Sequence, residues 1–362
     1  MVIASRRVCD TSVLFMPLEL VQRSARAAFL VAFALIAIAG TFPVRGGNER
    51  AHTYSIVARD EKTGDVGVAV QSHWFSVGSV VTWAESGVGA VATQSIAEPA
   101  YGPLGLALMR AGKTAPEALK ALSIVDALID LRQVAMIDVN GNVSAHTGKM
   151  AIAAAGHSIG TNYSVQANLM ANETVWPAMA TAFESASGDL ADRMLAALEA
   201  GERAGGDIRG RQSAALVIVR GKNSGKPWAD RIFDLRVDDS AQPLVELKRL
   251  IRLQRAYNFM NRGDELAGEK KWTEAMEQYK QATALAPEIE ELRFWVAVTL
   301  FAAGREDEAL PIFREVFSLN DQYVELARRL PRSGFLPAEP GKMSRILAQA
   351  KPQNKVQNPR RK

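Results

Sequence analysis

Strand-like alternation is clear at "TYSIVARD", where Thr53, Ser55 and Val57 fall on one side of an extended chain and Tyr54, Ile56 and Ala58 on the other. The polar turn "DEKTGD" leads into "VGVAVQS", a near-continuous apolar run that suits a strand covered on both faces. Together they predict a β-hairpin whose register sets Thr53 opposite Ser72. "SVVTWAES" and "GVGAVATQS", parted at Gly87, predict a second strand pair. "YGPLGLALMRAG" and "APEALKAL" carry helical spacing, with Gly112 as a stop signal. "RQVAMIDVNGNVSAHTG" predicts a hairpin turning at Asn140-Gly141. The polar stretch "GHSIGTNYSVQANLM" is assigned no element, and a single long helix is expected from about Trp176 to Gly201. "RQSAALVIVRG" and "RIFDLRVDD" predict the last hairpin.

Helices grouped in blocks around antiparallel hairpins, instead of strict βαβ alternation, point to an α+β sandwich with two antiparallel β layers. Gly87 and Gly89 are not followed by a helix, so a dinucleotide-binding turn is not supported. From Leu244 the pattern is helical throughout. Gly263, Ala275, Tyr279, Ala282 and Pro287 fit a tetratricopeptide-like register, echoed by Ala297, Ala309 and Phe313 one repeat later. Small residues at such positions let paired helices approach, and the aromatic fills the space between repeats. The expected layout is a segment 1–39, a pre-domain segment 40–52, an α+β domain 53–239, an all-α tetratricopeptide-like segment 244–330, and a tail 331–362 disordered at its end.

Composition narrows the choices. The chain has 362 residues with a formal net charge of +4 and no basic stripe interleaved with aromatics, so no nucleic-acid partner is expected. Its four histidines are scattered without metal-ligand spacing, and Cys9 is the sole cysteine. Neither a metal nor another cofactor is expected. Arg23 and Arg26 precede the apolar "AAFLVAFALIAIA", and Ala37-Ile38-Ala39 fits a small-x-small cleavage site. That run is short for a membrane span, so the segment reads as a signal peptide of an exported, periplasmic protein, with Met1 or Met16 as initiator. The end "KPQNKVQNPRRK" reads as a solvated tail.

The blocks "TYSIVARD…TGDVGVAVQSHWFSVGSVV", "GVGAVATQS", "YGPLGL", "RQVAMID", "SAHTG" and "GGDIRGRQSAALVIVR" together resemble the bacterial family known as domain of unknown function 1028. The helical tail resembles that of a subgroup with a two-domain layout. The family is similar in fold to the N-terminal nucleophile (Ntn) hydrolases. The resemblance thus implies a four-layer αββα sandwich and makes Thr53 the candidate nucleophile of a bacterial amidohydrolase. An alcohol needs a base within reach, and the free α-amine of an N-terminal threonine, with a pKa near 8, can serve.

Around Thr53, the expected register brings Ser72 opposite, with Gln71 and His73 adjacent. Ser72 is a candidate proton relay. His73 is a candidate acid or base, because imidazole titrates near neutrality. Gln71, Gln94, His146, Asn168, Arg211 and Gln212 are candidate substrate-binding residues near the same sheet ends, Arg211 through a bidentate contact to a carboxylate. Two points run the other way. Cleavage after Ala39 leaves Gly40 to His52 ahead of Thr53, and no lysine occurs between Lys62 and Lys113. Three readings therefore stand: an Ntn-type hydrolase of a small amide or peptide-like bond; a catalytically inactive domain that binds a ligand or partner; and a hydrolase using an internal Ser or His. In each, the helical repeats are available for a protein partner or for self-association.

Overall fold

The computed structural model of the chain describes residues 49–51 and 53–350. The export segment, its cleavage point, both candidate start codons and the basic C-terminal end lie outside the described residues. Among the described residues, no helix is long and apolar enough to cross a membrane.

The protein mixes α and β structure: two antiparallel sheets, their flanking helices, and a helical C-terminal region. The six-stranded sheet runs β11-β10-β3-β2-β9-β8. Its strands are β2 (Thr53–Arg59), β3 (Val66–Ser72), β8 (Gly156–Gly160), β9 (Tyr163–Ala167), β10 (Ser213–Val219) and β11 (Arg231–Val237). The five-stranded sheet contains β1 (Glu49–Ala51), β4 (Thr82–Glu85), β5 (Gly89–Ala97), β6 (Arg132–Asp138) and β7 (Val143–Thr147). In that sheet β5 carries β6 on one edge; on its other edge lie β4, opposite Gly89 to Ala92, and β1, opposite Ser95 to Ala97.

The first hairpin has the expected register, Thr53 opposite Ser72. Its turn is pinned by the Asp60 carboxylate, which accepts from the amides of Lys62 and Thr63. The hairpin of β6 and β7 turns at Gly141, whose φ of +86° is the left-handed conformation that glycine adopts without strain. The alternation along β2 is also realised. Val57 packs with Val68, Val70, Ala92, Ala135 and Val217 between the two sheets. Tyr54, Ile56 and Ala58 face the opposite side.

There they meet the helices α4 (Val175–Ser185) and α5 (Leu190–Arg203), through Met179, Phe183, Met194 and Leu198. The outer face of the other sheet is covered by α2 (Tyr101–Arg110) and α3 (Ala115–Val125), through Tyr101, Leu106, Met109 and Leu119. Burying a side chain of this size contributes about 1.5–3 kcal/mol, so one apolar layer holds the two sheets face to face and two more hold the helices on their outer faces.

Several elements differ from expectation. Gly78–Val81 forms a short helix, α1, so the strand after it begins only at Thr82. The polar stretch after Ala155 forms β8 and β9. The long helix is broken in two at Gly188, whose φ is +105°, and Asp189 caps the second half by accepting from the amide of Asp192.

After a short turn of helix, α6 (Pro227–Asp230), the C-terminal region consists of α7 (Pro243–Gly268), α8 (Trp272–Leu285), α9 (Glu290–Ala302), α10 (Glu306–Leu319), α11 (Gln322–Arg329) and α12 (Pro340–Leu347). Helix α7 serves two cores. Leu244, Leu247 and Ile251 pack under the six-stranded sheet, whereas Ala256, Met260 and Leu266 belong to the helical core. Between them, Arg255 pairs with Asp189 at 2.6 Å and Asp192 at 2.9 Å. Gly263 is needed for close approach: a Cβ there would lie 2.3 Å from the Tyr279 ring. Beyond residue 330, Ile346 of α12 is fully buried in the same helical core.

Candidate functional site

Thr53 opens β2 at one end of the space between the sheets. Its Oγ1 donates to Ser72 Oγ at 3.1 Å, and both residues are fully buried. Its amide donates to the Asn168 carbonyl at 3.3 Å, just beyond the end of β9. The Thr53 carbonyl accepts from Asn168 N at 3.1 Å, Asn168 Nδ2 at 3.3 Å and Gln94 Nε2 at 3.1 Å. Gln94 belongs to the facing sheet, so this contact ties the two layers together at Thr53.

Gln94 is part of a wholly buried polar group. Its Nε2 also donates to Gln133 Oε1 at 2.7 Å, while its Oε1 accepts from Ser55 Oγ at 2.6 Å. Asn168 Nδ2 donates to the same Gln133 oxygen at 3.0 Å. Gln133 Nε2 donates in turn to Thr147 Oγ1 at 2.9 Å and the Ala167 carbonyl at 2.9 Å. Gln166 Nε2 donates to Ser55 Oγ at 2.6 Å. In a low-dielectric interior such a connected set rigidifies its surroundings, because each unmade bond would carry a full desolvation cost. The set reaches His157, whose Nδ1 lies 2.8 Å from Thr147 Oγ1. Burial, with the positive charge available to His146 as a lesser cause, holds the His157 pKa below the ordinary imidazole value.

The structure thus brings Thr53, Ser72, Gln94 and Asn168 into one hydrogen-bonded group, and places the other candidates elsewhere. Gln71 pairs with Tyr54 across the hairpin and is fully buried, with neither side-chain nitrogen nor oxygen hydrogen-bonded. His73 sits past the end of β3, its amide donating to Asp207 Oδ2 at 3.2 Å and its Nδ1 lying 3.3 Å from the Arg211 carbonyl. Arg211 is half exposed and pairs with Glu202, which also accepts from the Tyr54 hydroxyl at 2.7 Å. Burial first, then Glu202, pushes the Tyr54 phenol well above its ordinary pKa. Gln212 donates to Asp239 at 3.2 Å, and His146 Nε2 lies 3.0 Å from the Ile129 carbonyl.

Sequence reasoning missed Ser55, Gln133, Gln166, Thr147 and Asp207. A signal existed for Ser55 alone, since the alternation of β2 puts it on the Thr53 face. Among the described residues, no group of three or more His, Cys, Asp or Glu side chains is placed to hold a metal ion.

Beyond Asn168 the main chain links three loops. Leu169 N donates to the Ile152 carbonyl at 2.8 Å, and Ile208 N to the Leu169 carbonyl at 3.2 Å. Ile152 and Ile208 are 43% and 63% exposed, which gives this end of the sandwich an apolar rim.

The model of a family of unknown function, DUF1028, matches residues 53–247. A crystal structure of a Silicibacter pomeroyi protein carrying the same family model is similar at 28% identity and a TM-score of 0.50. The match covers 55% of this chain and 87% of that one. No curated protein matches the chain.

Proposed function

The chain belongs to the DUF1028 family, and from that premise we propose that it is an exported hydrolase of the Ntn type. It cuts an amide or peptide-like bond with the Thr53 hydroxyl after the residues ahead of Thr53 are removed. The order helices, sheet, sheet, helices supports reading the fold as an Ntn-type αββα sandwich. The seating of Gly263 against Tyr279 supports reading the helical region as tetratricopeptide-like.

The observation that carries the reaction is the placement of Thr53 Oγ1: at the first residue of a strand, 3.1 Å from Ser72 Oγ, where two facing sheets meet. With residues 49–51 attached, the Thr53 nitrogen is a peptide amide and has no basicity to offer. Once freed, it becomes an amine with a pKa near 8 that can take the Oγ1 proton. Oγ1 then bonds to the substrate carbonyl carbon, and the oxygen gains negative charge that N–H donors stabilise. The C–N bond breaks as the amine leaves with the proton, and water cleaves the ester to restore Thr53. Ser72 holds Oγ1 in place and relays the proton.

The pairing of β1 with β5, which gives residues 49–51 a place in the sheet, favours a second reading, a non-catalytic domain that binds a ligand or partner. In either case the helical region offers a partner site: Trp272, Trp295, Phe335 and Asp264 line a cavity of about 730 Å³.

N-terminal sequencing and intact mass of the protein recovered from its host separate the two. Material beginning at Thr53 that is acylated by an electrophilic amide or ester probe supports the hydrolase. A native chain that keeps residues 49–52 supports the binding domain.

A further inference from the structure

The strand that precedes Thr53 is not idle chain. Strand β1 pairs antiparallel with β5, Glu49 opposite Ala97, Arg50 opposite Ile96 and Ala51 opposite Ser95. The ladder between β5 and β6 stops at Ser95 opposite Arg132, and β4 stops at Ala92. Within the sheet, β1 is the strand partner of Ile96 and Ala97, and the Ile96 carbonyl also accepts from Arg132 Nη1 of β6 at 2.5 Å. A single residue separates β1 in one sheet from Thr53 in the other. A strand laid on this part of β5 in the place of β1 ends one residue short of Thr53.

Two further features mark this edge as a place for a chain to bind. Ser95 has a φ of +75°, unusual for a residue with a side chain, and its fully buried Oγ makes no hydrogen bond. It sits opposite Ala51, so whatever residue pairs at that position lies next to an unused hydroxyl. At only three residues, β1 is short for a strand and gains little from its own side of the ladder. It holds the edge as a local, displaceable occupant.

Accepting the hydrolase reading, loss of β1 leaves Ser95 and Ala97 of β5 without a strand partner on that edge, the kind that recruits another strand, while the Ile96 carbonyl stays held by Arg132. We propose that this edge is the acceptor for an extended peptide segment, with β1 as its resident occupant. The substrate class of the Thr53 site is then a peptide in strand conformation, held by main-chain pairing to β5. Pairing through the backbone gives affinity with little demand on side chains, and the apolar rim at Ile152 and Ile208 adds a preference for an apolar residue.

Binding can be tested apart from catalysis in full-length Thr53→Ala, which has no nucleophile. Of the adjacent Arg50 and Ala51 amides one faces β5, so Arg50→Pro with Ala51→Pro removes that donor and releases the strand. The probe is a fluorescent peptide of residues 44–51 of this chain. Anisotropy is expected to show about tenfold or tighter binding to the released chain than to the chain with β1 intact, and loss of binding when the peptide itself carries the same prolines. Hydrogen exchange at Ile96 and Ala97 is expected to speed up on release and slow again with peptide, with Val91 unchanged. Should the double variant not fold, Arg50→Pro alone is measured in the same way. Equal affinity for released and intact chains, or equal binding of the proline peptide, overturns the proposal. Because turnover is not read, strand docking can fail while Thr53 is still acylated by a small probe, and the reverse result is equally distinguishable.

Discussion

Gln94 reaches from β5 in one sheet to the main-chain carbonyl of Thr53 in the other, Nε2 to O 3.1 Å, while its own oxygen accepts from Ser55. Gln94→Leu would keep the bulk but leave Ser55 Oγ, Gln133 Oε1 and the Thr53 carbonyl short of a partner. A loss of about 2–4 kcal/mol is expected from three buried hydrogen bonds removed at about 1 kcal/mol each, measured as a lower urea midpoint at unchanged m-value. A loss under about 0.5 kcal/mol, the range of neutral surface changes, would show that the contact does not tie the sheets together.

Thr53→Ala and Thr53→Ser, made in chains that begin at residue 53, separate chemistry from packing. The alanine variant is expected to lose about 1 kcal/mol of stability and all labelling by an electrophilic probe. The serine variant keeps the oxygen and is expected to keep labelling. Labelling that survives in Thr53→Ala, read by intact mass, would place the nucleophile elsewhere.

His157 makes stability depend on pH with a definite sign. Its folded pKa is lowered, chiefly by burial, so below about pH 6.5, the ordinary imidazole value, the unfolded chain binds the proton more readily than the folded one. Its contribution is fully present above that pH and declines as pH falls toward the folded pKa. Urea titrations from pH 7.5 to 5 are expected to show a steeper fall in wild type than in His157→Gln. Parallel curves for the two proteins would remove His157 as the cause.

Gly263→Ala drives a methyl into the Tyr279 ring. Overpacking of this kind costs about 1–3 kcal/mol. Faster hydrogen exchange is expected in α8 and the second half of α7, with exchange in β5 and β6 unchanged.

The Thr53–Ser72 register was legible because a local turn fixes it: Asp60 and Gly64 close the hairpin, and alternation then dictates which side chains share a face. The buried amide group was not legible. Gln133 and Gln166 meet Gln94 and Ser55 only because two sheets stack, and that stacking joins residues far apart in sequence. The same cause hid β9. Its inward residues Ser164 and Gln166 are polar and fully buried, so a hydrophobicity pattern shows loop where the structure has strand. The break at Gly188 was signalled by the Gly-Asp pair, since glycine stops a helix and Asp189 caps the next, but the apolar spacing on both sides ran through it. Gln71 shows the limit of adjacency. One step along β3 from Ser72, it faces the other side of the sheet.

The unbroken run of α7 bears on mechanics. Its 26 residues make a rod of about 39 Å at 1.5 Å per residue, clamped at one end beneath β10 and β11 and at the other among α8 and α9. A rod of this kind has no joint. To pivot where the two cores meet, it would have to give up main-chain hydrogen bonds in mid-helix and pull Arg255 from both aspartates. The sheets and the helical region therefore turn in solution as one body. A load applied to the C-terminal helices is delivered to the underside of β10 and β11, and reaches the strand that begins with Thr53 through β3.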